Sequence, residues 1–583
     1  MRPVTARFAA PGGGRFGRSF VFAGLIKVLR ADALAEVAPA FAELEAAVAA
    51  GCHAAGFVAY EAAHAFNPDL PIGAPPQTPL LWFAIFAERR EELGTSPVSP
   101  LRLPLVPRTT IPDAAGYEAA ITAIHAAIVR GETYQVNYTL RQRFPVPNDS
   151  AALFSALCQT QQAPFCAHIE TGELTVVSAS PELFFARQKE KIVMRPMKGT
   201  ARRAAESSAD CAVRSALAAS PKERAENLMI VDLVRNDLSR LAIIGSVQVE
   251  SLFDVETYPT VHQLTSTVSA QLAPSTTTFQ IFSALFPCGS VTGAPKRRTM
   301  EIIRDLEVAP RGLYCGAIGF VSPGESVFSV AIRTVVIDHA TGEAELGIGS
   351  GVTSDSSCAA EYAESFAKSR FLDMDPTPFA LIEGLRRQEK GGYFLLERHL
   401  QRLAASAEYF AFPWNRAAIL TELQQCDAEL KGAHKVRLLL DKDGTVTLRA
   451  EPLLPASRRF PLTMLLSPQR VQRDDPFLFH KTTRRDLYNV ERARFPGVDE
   501  VLFCNEAGEV TEGSIHNLVL RRGGRLLTPA LVCGLLPGTL RGELLERGIL
   551  SEAVITVGDL RAAEGLWLIN AVRGWRRAVL VEE

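Results

Sequence analysis

The sequence predicts an α+β protein made of two domains in series. Three observations carry this. At 583 residues the chain is too long for one hydrophobic core. Segments with helical spacing of apolar residues alternate irregularly with short runs rich in Val, Ile and Phe. Finally, Asp373-Met374-Asp375-Pro376-Thr377-Pro378 places two prolines within three residues, and a residue before proline resists helix, so this string reads as a hinge. The expected divisions are 1–113 as an N-terminal part, 114–373 as a first catalytic domain, 374–378 as linker and 379–583 as a second domain.

Taken in order, residues 11–17 are Gly-rich and read as loose, and the apolar run 20–29 reads as an early strand. That run carries Lys27 and no small-residue cleavage site follows it, so a signal peptide is not supported. Residues 31–50 are Ala/Glu-rich and predict a helix; 68–79 and 97–112 are Pro-punctuated connections. Tyr117, Ile121, Ile124 and Ile128 recur at helical spacing before Gly131, a stop signal. Tyr134, Val136, Tyr138 and Leu140 then alternate with Gln135, Asn137 and Thr139, the pattern of a half-buried strand. Residues 317–321 and 335–337 read as strands of the first domain, and 436–440 and 518–520 as strands of the second.

Composition narrows the function. Hydrophobic residues make up 47% and charged residues 22%, as in soluble globular proteins, and the net charge of −2 leaves no footprint for nucleic acid or an anionic membrane. Ten cysteines include no Cys-x-x-Cys pair, which argues against a zinc ribbon or redox dithiol and fits a reducing cytoplasm. No apolar run is long enough to span a bilayer. The glycines of 289–296 and 347–351 match neither a phosphate loop nor a dinucleotide fingerprint.

Several polar strings exceed what a core requires: 131–137 around Gln135, 180–182 ending in Glu182, 195–200 around Lys198, 223–227, 287–296, and 361–364. Glu223 and Glu226, three apart on a predicted helix, share a face, and Glu361 and Glu364 repeat the arrangement. Such pairs are most often solvated. Here the apolar run 227–231 follows directly, and carboxylates gathered at a buried edge repel unless a hard cation such as Mg²⁺ joins them.

In their order these strings resemble the chorismate-binding enzymes, the family of anthranilate, aminodeoxychorismate, isochorismate and salicylate synthases, over about residues 114–370. The resemblance implies a layered sheet-and-helix catalytic domain like anthranilate synthase component I. It implies Mg²⁺ held by Glu226 and Glu364, with Glu223 and Glu361 in support. It implies substrate contacts from Gly199, Thr200, Gly351, Tyr314, Arg333, His262, Thr292 and Lys368, and makes Glu182 the general acid for the departing C4 hydroxyl. Two positions select a branch. The isochorismate and salicylate synthases use a lysine where this chain has Gln135, and a neutral amide cannot deprotonate water, so ammonia is the expected nucleophile. Lysine at position 198, where anthranilate synthases usually carry alanine, implies the aminodeoxychorismate branch, with Lys198 adding to the chorismate ring before ammonia enters at C4. No cysteine lies in a Gly-x-Cys-x-Gly turn, so ammonia is expected from a separate glutaminase subunit or from free ammonium.

Beyond Pro378, the strings 397–403, 480–484 and 510–517 resemble the fold-type-IV pyridoxal-phosphate enzymes, which include branched-chain and D-amino-acid aminotransferases and 4-amino-4-deoxychorismate lyase. The resemblance implies pyridoxal 5'-phosphate bonded to Lys481, its ring nitrogen facing Glu512, its phosphate clamped by Arg402 and Thr539, and weaker contributions from Asn517 and Arg437. The linker runs almost directly into the segment at 379–386, which leaves the dimer usual in this fold an open expectation. Together the two units imply amination of chorismate to 4-amino-4-deoxychorismate, then release of pyruvate to give 4-aminobenzoate. The alternatives are an anthranilate synthase in the first unit, and in the second an amino-acid transaminase or an inactive partner-binding domain.

Overall fold

A computed structural model describes residues 3–13, 17–92, 107–146, 149–454 and 461–582. The Gly-rich reading at 14–16 and the proline-rich connection at 97–106 lie outside the described residues. The chain forms two compact units. One comprises Met1–Arg202 and Arg214–Thr377, the other Arg203–Val213 and Pro378–Glu583.

In the first unit the described residues contribute eighteen strands to one sheet system. The strand Gln135–Pro145 pairs antiparallel with Glu343–Val352, setting Asn137 opposite Gly351. Met197–Arg202 pairs antiparallel with Val261–Gln271, and its register slips between Met197 and Thr200, so Lys198 and Gly199 occupy a bulge. A bulge re-aims a side chain out of the ladder, and Gly199 takes the left-handed φ of +97° that it needs.

Apolar layers flank these strands. In one, the helices Leu34–Ala49 and Thr278–Leu285 bury Phe41 and Phe282 with Phe83, Phe286 and Phe328. In the other, Ala114–Val129 buries Tyr117, Ile121 and Ile124, as their spacing predicts. Asp113 caps that helix by accepting from the Gly116 amide, and Gly131 follows with φ +73°. The early strand is present as Phe20–Ala31.

One pattern differs from expectation. Residues 135–142 are all buried, whereas Tyr134 is 69% exposed and precedes the strand. The strand is paired with Glu343–Val352 along one edge and with Thr109–Ile111 and Gly293–Ala294 along the other. That pairing engages its backbone, while its polar groups also meet other elements: Thr139 donates to Glu307 Oε1 through its amide (3.0 Å) and its hydroxyl (2.8 Å).

The second unit has an antiparallel three-stranded sheet, Leu381–Arg387, His434–Leu440 and Val446–Pro452. The helices Leu396–Tyr409 and Arg416–Glu429 pack on it through Leu400, Leu403 and Leu423. An eight-stranded mixed sheet follows, in which Leu462–Val471 lies parallel to both Glu500–Asn505 and Gly574–Leu580. Among the described residues no helix is long and apolar enough to cross a membrane.

Candidate active sites

The first site forms where the Lys198 bulge meets two helices. Pro221–Ser239 opens with Ser220 accepting from the Glu223 amide and Pro221 in its first turn, which places Glu223 near the positive end of the helix. The buried Asn227 ties this helix to the bulge. Its Nδ2 donates to the Lys198 carbonyl (3.1 Å) and the Leu264 carbonyl (3.3 Å), and its Oδ1 accepts from Ser266 at 2.5 Å. Sequence reasoning gave Asn227 no role, although it sits in the string that carries the glutamates.

Gly351 marks the point of convergence. A Cβ there would lie 2.4 Å from Gln135 Nε2 and 2.5 Å from Lys198 Nζ, so the amide and the amine share one small space over its backbone. Burial pushes the Lys198 ammonium below its ordinary pKa; Glu226, Glu364 and Glu182 oppose this, while Lys368 adds to it. Burial lifts Glu182 to about 7 against Ser290, the Met197 amide and Lys198. Glu182 Oε1 and Gln135 Oε1 are buried without a hydrogen-bond partner among the described residues, as expected of groups that await a polar ligand.

The carboxylates gather around this amine. Burial raises Glu223, and the charges of Glu226 and Glu364 raise it further. The half-exposed Glu364 is held low by Lys368, 2.8 Å away, and by Lys198, which outweigh burial. Lys368 also donates to the Gly349 carbonyl at 2.9 Å. Glu361 accepts from Ser356 at 2.7 Å. Among the described residues no three His, Cys, Asp or Glu side chains close on one point. Carboxylate oxygens are the donors a hard divalent ion takes, so Glu226 and Glu364 are the residues that could hold one.

The remaining predicted residues have partners of their own. The exposed Thr200 donates to Gln263 Oε1 at 2.9 Å. His262 is buried, with Nδ1 3.1 Å from the Thr257 hydroxyl. The buried Thr292 donates to the carbonyls of Cys288 and Gly289. Tyr314 lies against Gly347, where a Cβ would fall 2.0 Å from its ring, and its charged neighbours are Arg141, Arg311 and Glu307 rather than Lys198. Arg333 takes φ +49°, donates to Gln161 at 3.1 Å and neighbours Tyr258, which in turn neighbours Glu182.

In the second unit Lys481 immediately precedes Thr482, which forms an isolated antiparallel bridge with Leu381, and the Lys481 carbonyl accepts from the Ile382 amide at 2.9 Å. Burial lowers its pKa to about 8, Arg485 and Arg402 lower it too, and Glu383 and Glu512 oppose. The buried Glu512 is lifted to about 7 by burial. The Leu536 amide (3.1 Å), the Tyr488 hydroxyl (3.2 Å) and Asn517 Nδ2 (3.1 Å) orient it. Gly538 is required beside Asn517, because a Cβ there would lie 1.8 Å from its Oδ1.

Arg402 is a member of a buried network. Its Nε and one terminal nitrogen donate to Glu383 (2.8 and 2.7 Å), and the other terminal nitrogen donates to the Pro537 carbonyl (3.1 Å). Glu383 also holds His399 at 2.7 Å, and His399 Nε2 reaches the Thr539 hydroxyl at 3.2 Å. Arg402 and His399 overcome burial and hold Glu383 down at about 2. Arg402, Pro537, Gly538 and Thr539 line a cavity of about 260 Å³. Arg437 stands apart, exposed on the three-stranded sheet opposite Gly384 and Arg449. Sequence reasoning missed Glu383 and Arg485. Glu383 sits in an alternating strand pattern that gives no sign of a buried carboxylate, and Arg485 four residues after Lys481 was the readable cue.

The first unit shares its fold with anthranilate synthase component I from Streptococcus pneumoniae TIGR4, at TM-score 0.54 and 22% identity, covering 64% of this chain and 94% of that one. Residues 13–373 match the chorismate binding enzyme family, and the chain belongs to it. Residues 380–581 match class IV amino-transferases. The chain is similar to aminodeoxychorismate synthase component 1 of Klebsiella aerogenes, 44% identical over 253 residues that cover 43% of this chain and 56% of the relative. It is also similar to aminodeoxychorismate synthase of Streptomyces griseus, 44% identical over 267 residues that cover 45% and 37%. The match thus spans between about a third and a little over half of these relatives' length.

Proposed function

We propose that this chain is a bifunctional enzyme of 4-aminobenzoate synthesis. Its domains would be 1–113 with 114–373 for the synthase, 374–378 as linker and 379–583 for the lyase. The observation that carries the synthase reading is the meeting of Lys198 Nζ and the Gln135 amide over Gly351. Burial lowers the pKa of Lys198, which favours the neutral nucleophilic amine, and an amide beside it can orient ammonia but cannot activate water. The relatives named aminodeoxychorismate synthase support the same choice.

Glu226 and Glu364, with Glu223 and Glu361 in support, would hold Mg²⁺, which supplies positive charge against the ring carboxylate of chorismate. Lys198 Nζ forms a bond to C2 as the C4 hydroxyl leaves. Glu182, neutral below about 7, delivers the proton that makes the leaving group water. Ammonia, oriented by Gln135, bonds to C4 and the bond to Lys198 breaks, leaving 4-amino-4-deoxychorismate. Tyr314, Arg333, His262, Thr292, Thr200, Gly199 and Lys368 are assigned to substrate. The ammonia comes from a separate glutaminase or from free ammonium.

The second unit fits pyridoxal 5'-phosphate. Lys481 is a partly buried amine with pKa near 8, Glu512 is a buried carboxyl aimed by three donors, and Arg402 with Thr539 faces a cavity. When bound, the cofactor supplies an electron sink for the carbon that bears the amino group. Lys481 takes the C4 proton, Glu512 keeps a proton on the pyridine nitrogen, Asn517 fixes Glu512, and Arg402 and Thr539 hold the phosphate. The bond from C3 to the enolpyruvyl oxygen breaks as the ring becomes aromatic, and the proton taken from C4 passes to the methylene carbon of the departing enolpyruvate, giving pyruvate.

Purified chain given chorismate, ammonium, Mg²⁺ and pyridoxal phosphate should release 4-aminobenzoate and pyruvate in equal amounts. Formation of 2-aminobenzoate would overturn the synthase branch. Accumulated aminodeoxychorismate without pyruvate would overturn the lyase assignment, and turnover of an amino acid with a 2-oxo acid would put a transaminase in its place.

A further inference from the structure

Residues 203–213 lie within the stretch that matches the chorismate binding enzymes, five residues beyond Lys198, yet they fold with the second unit. Their attachment there is built, not incidental. Arg203 and Asp210 form a buried pair, 6% and 8% exposed, in which Nε and a terminal nitrogen both donate to Oδ2 at 2.9 and 2.6 Å. Asp210 Oδ1 accepts from the Ala204 amide at 3.1 Å, closing the segment on itself.

From this clasp the contacts run to the lysine. The Arg203 guanidinium lies 3.7 Å above the Tyr409 ring and donates to the Tyr409 carbonyl at 2.9 Å, and the Tyr409 hydroxyl donates back to the Ala204 carbonyl at 3.0 Å. The Tyr409 ring packs against His480 with centroids 4.3 Å apart and planes tilted by 33°. His480 Nδ1 is 2.9 Å from the Ser406 hydroxyl, one turn before Tyr409 on the same helix, and Lys481 is the next residue. Ala205 packs against the apolar cluster of Leu478, Phe479 and Tyr488 that brackets Lys481 in sequence. Glu206 and Ser207 stand in the wall of the cavity that Arg402, Gly538 and Thr539 line.

We propose that residues 203–213 are a positioning element of the pyridoxal phosphate site: the Arg203–Asp210 clasp fixes the Tyr409–His480 ring pair, which fixes Lys481, and Glu206 with Ser207 completes the cavity wall. None of these residues touches the reacting atoms. They act through Lys481 and Arg402. A buried ion pair is costly to break singly, and a stacked cation on an aromatic face strengthens when desolvated, so the clasp is stiff enough for this role.

The inference rests on the cofactor reading of Lys481, and the test separates the two. Full-length chain is titrated with pyridoxal phosphate and binding is read from the visible absorbance of lysine-bound cofactor. If the unmodified chain takes up none, the cofactor reading fails. If it does, Asp210→Ala should weaken the dissociation constant at least tenfold, while ammonium-dependent consumption of chorismate stays within twofold. Asp210→Glu should restore part of the affinity. Tyr409→Phe keeps the ring and removes the hydroxyl that donates to Ala204, and should weaken binding three- to fivefold, so a poorly folding Asp210 variant does not decide the matter. Unchanged affinity in both Asp210→Ala and Tyr409→Phe would overturn the proposal. So would an equal loss of both activities in Tyr409→Phe, which would mark the segment as a general folding element.

Discussion

Lys198 and Lys481 are both partly buried lysines pushed below the ordinary lysine range chiefly by desolvation, but their surroundings oppose that push differently. Lys198 sits among carboxylates, with Glu226, Glu364 and Glu182 restoring part of its charge and Lys368 alone among the named neighbours working the other way. Lys481 sits among cations, with Arg485 and Arg402 driving it down and Glu383 and Glu512 answering. Desolvation thus makes a nucleophile in either setting, and the second charge around it follows from what else the site must hold. Carboxylates suit a site that gathers a metal ion and an anionic ring, and arginines suit one that receives a phosphate.

The contrast is broken or sharpened by a graded series of variants. The largest effect is expected from Lys198→Ala, a loss on the order of 10⁴-fold or more in aminodeoxychorismate formation, the scale for removing a covalent nucleophile. Pyridoxal phosphate binding should be unchanged. Product analysis checks both, and an active Lys198→Ala would end the parallel between the two amines. Glu182→Gln should cost about 10²–10⁴-fold, the range for a general acid. At fixed free ammonia the parent enzyme should slow as pH rises past about 7, because Glu182 is protonated below that value and cannot donate above it. The variant should lack this inflection.

Gly351→Ala comes next, at about 100-fold, the cost of an ångström-scale displacement of reacting groups. Its methyl would meet only the flexible ends of Gln135 and Lys198, so the melting temperature should hold while activity falls. Glu383→Gln removes the charge that holds Arg402 and His399, and should weaken pyridoxal phosphate binding by about tenfold, read by absorbance titration. The smallest effect is a pH shift. Capture of pyridoxal phosphate by the cofactor-free chain should quicken as pH rises through about 8, where Lys481 becomes neutral. Glu512→Gln removes a charge that raises that value, so stopped-flow mixing should show the rise moved to lower pH.

Much of this was legible in the sequence. The helix at 114–129 followed from Tyr117, Ile121 and Ile124, and the gathering of Glu223, Glu226 and Glu364 about Lys198 followed from ordered polar strings. What escaped was set by partners remote in sequence. Glu383 looks like a surface residue until Arg402 and His399 are seen around it. Asn227 looks like a helix polar residue until it reaches the Lys198 carbonyl. Asn137 and Thr139 show only a strand period until Glu307, far along the chain, is seen to accept from the Thr139 amide and hydroxyl. Helix and strand periods report which face is apolar, and they carry no trace of which distant backbone will cover the other.

The excursion at 203–213 bears on how such a protein can be divided. A protease or an engineered stop at Pro378 would release a downstream fragment lacking eleven of the residues it folds with. Descent into two free-standing polypeptides would therefore need those contacts reinvented or supplied in trans. Fusion in this chain is written into the weave of the backbone, and the short proline hinge is only its most visible stitch.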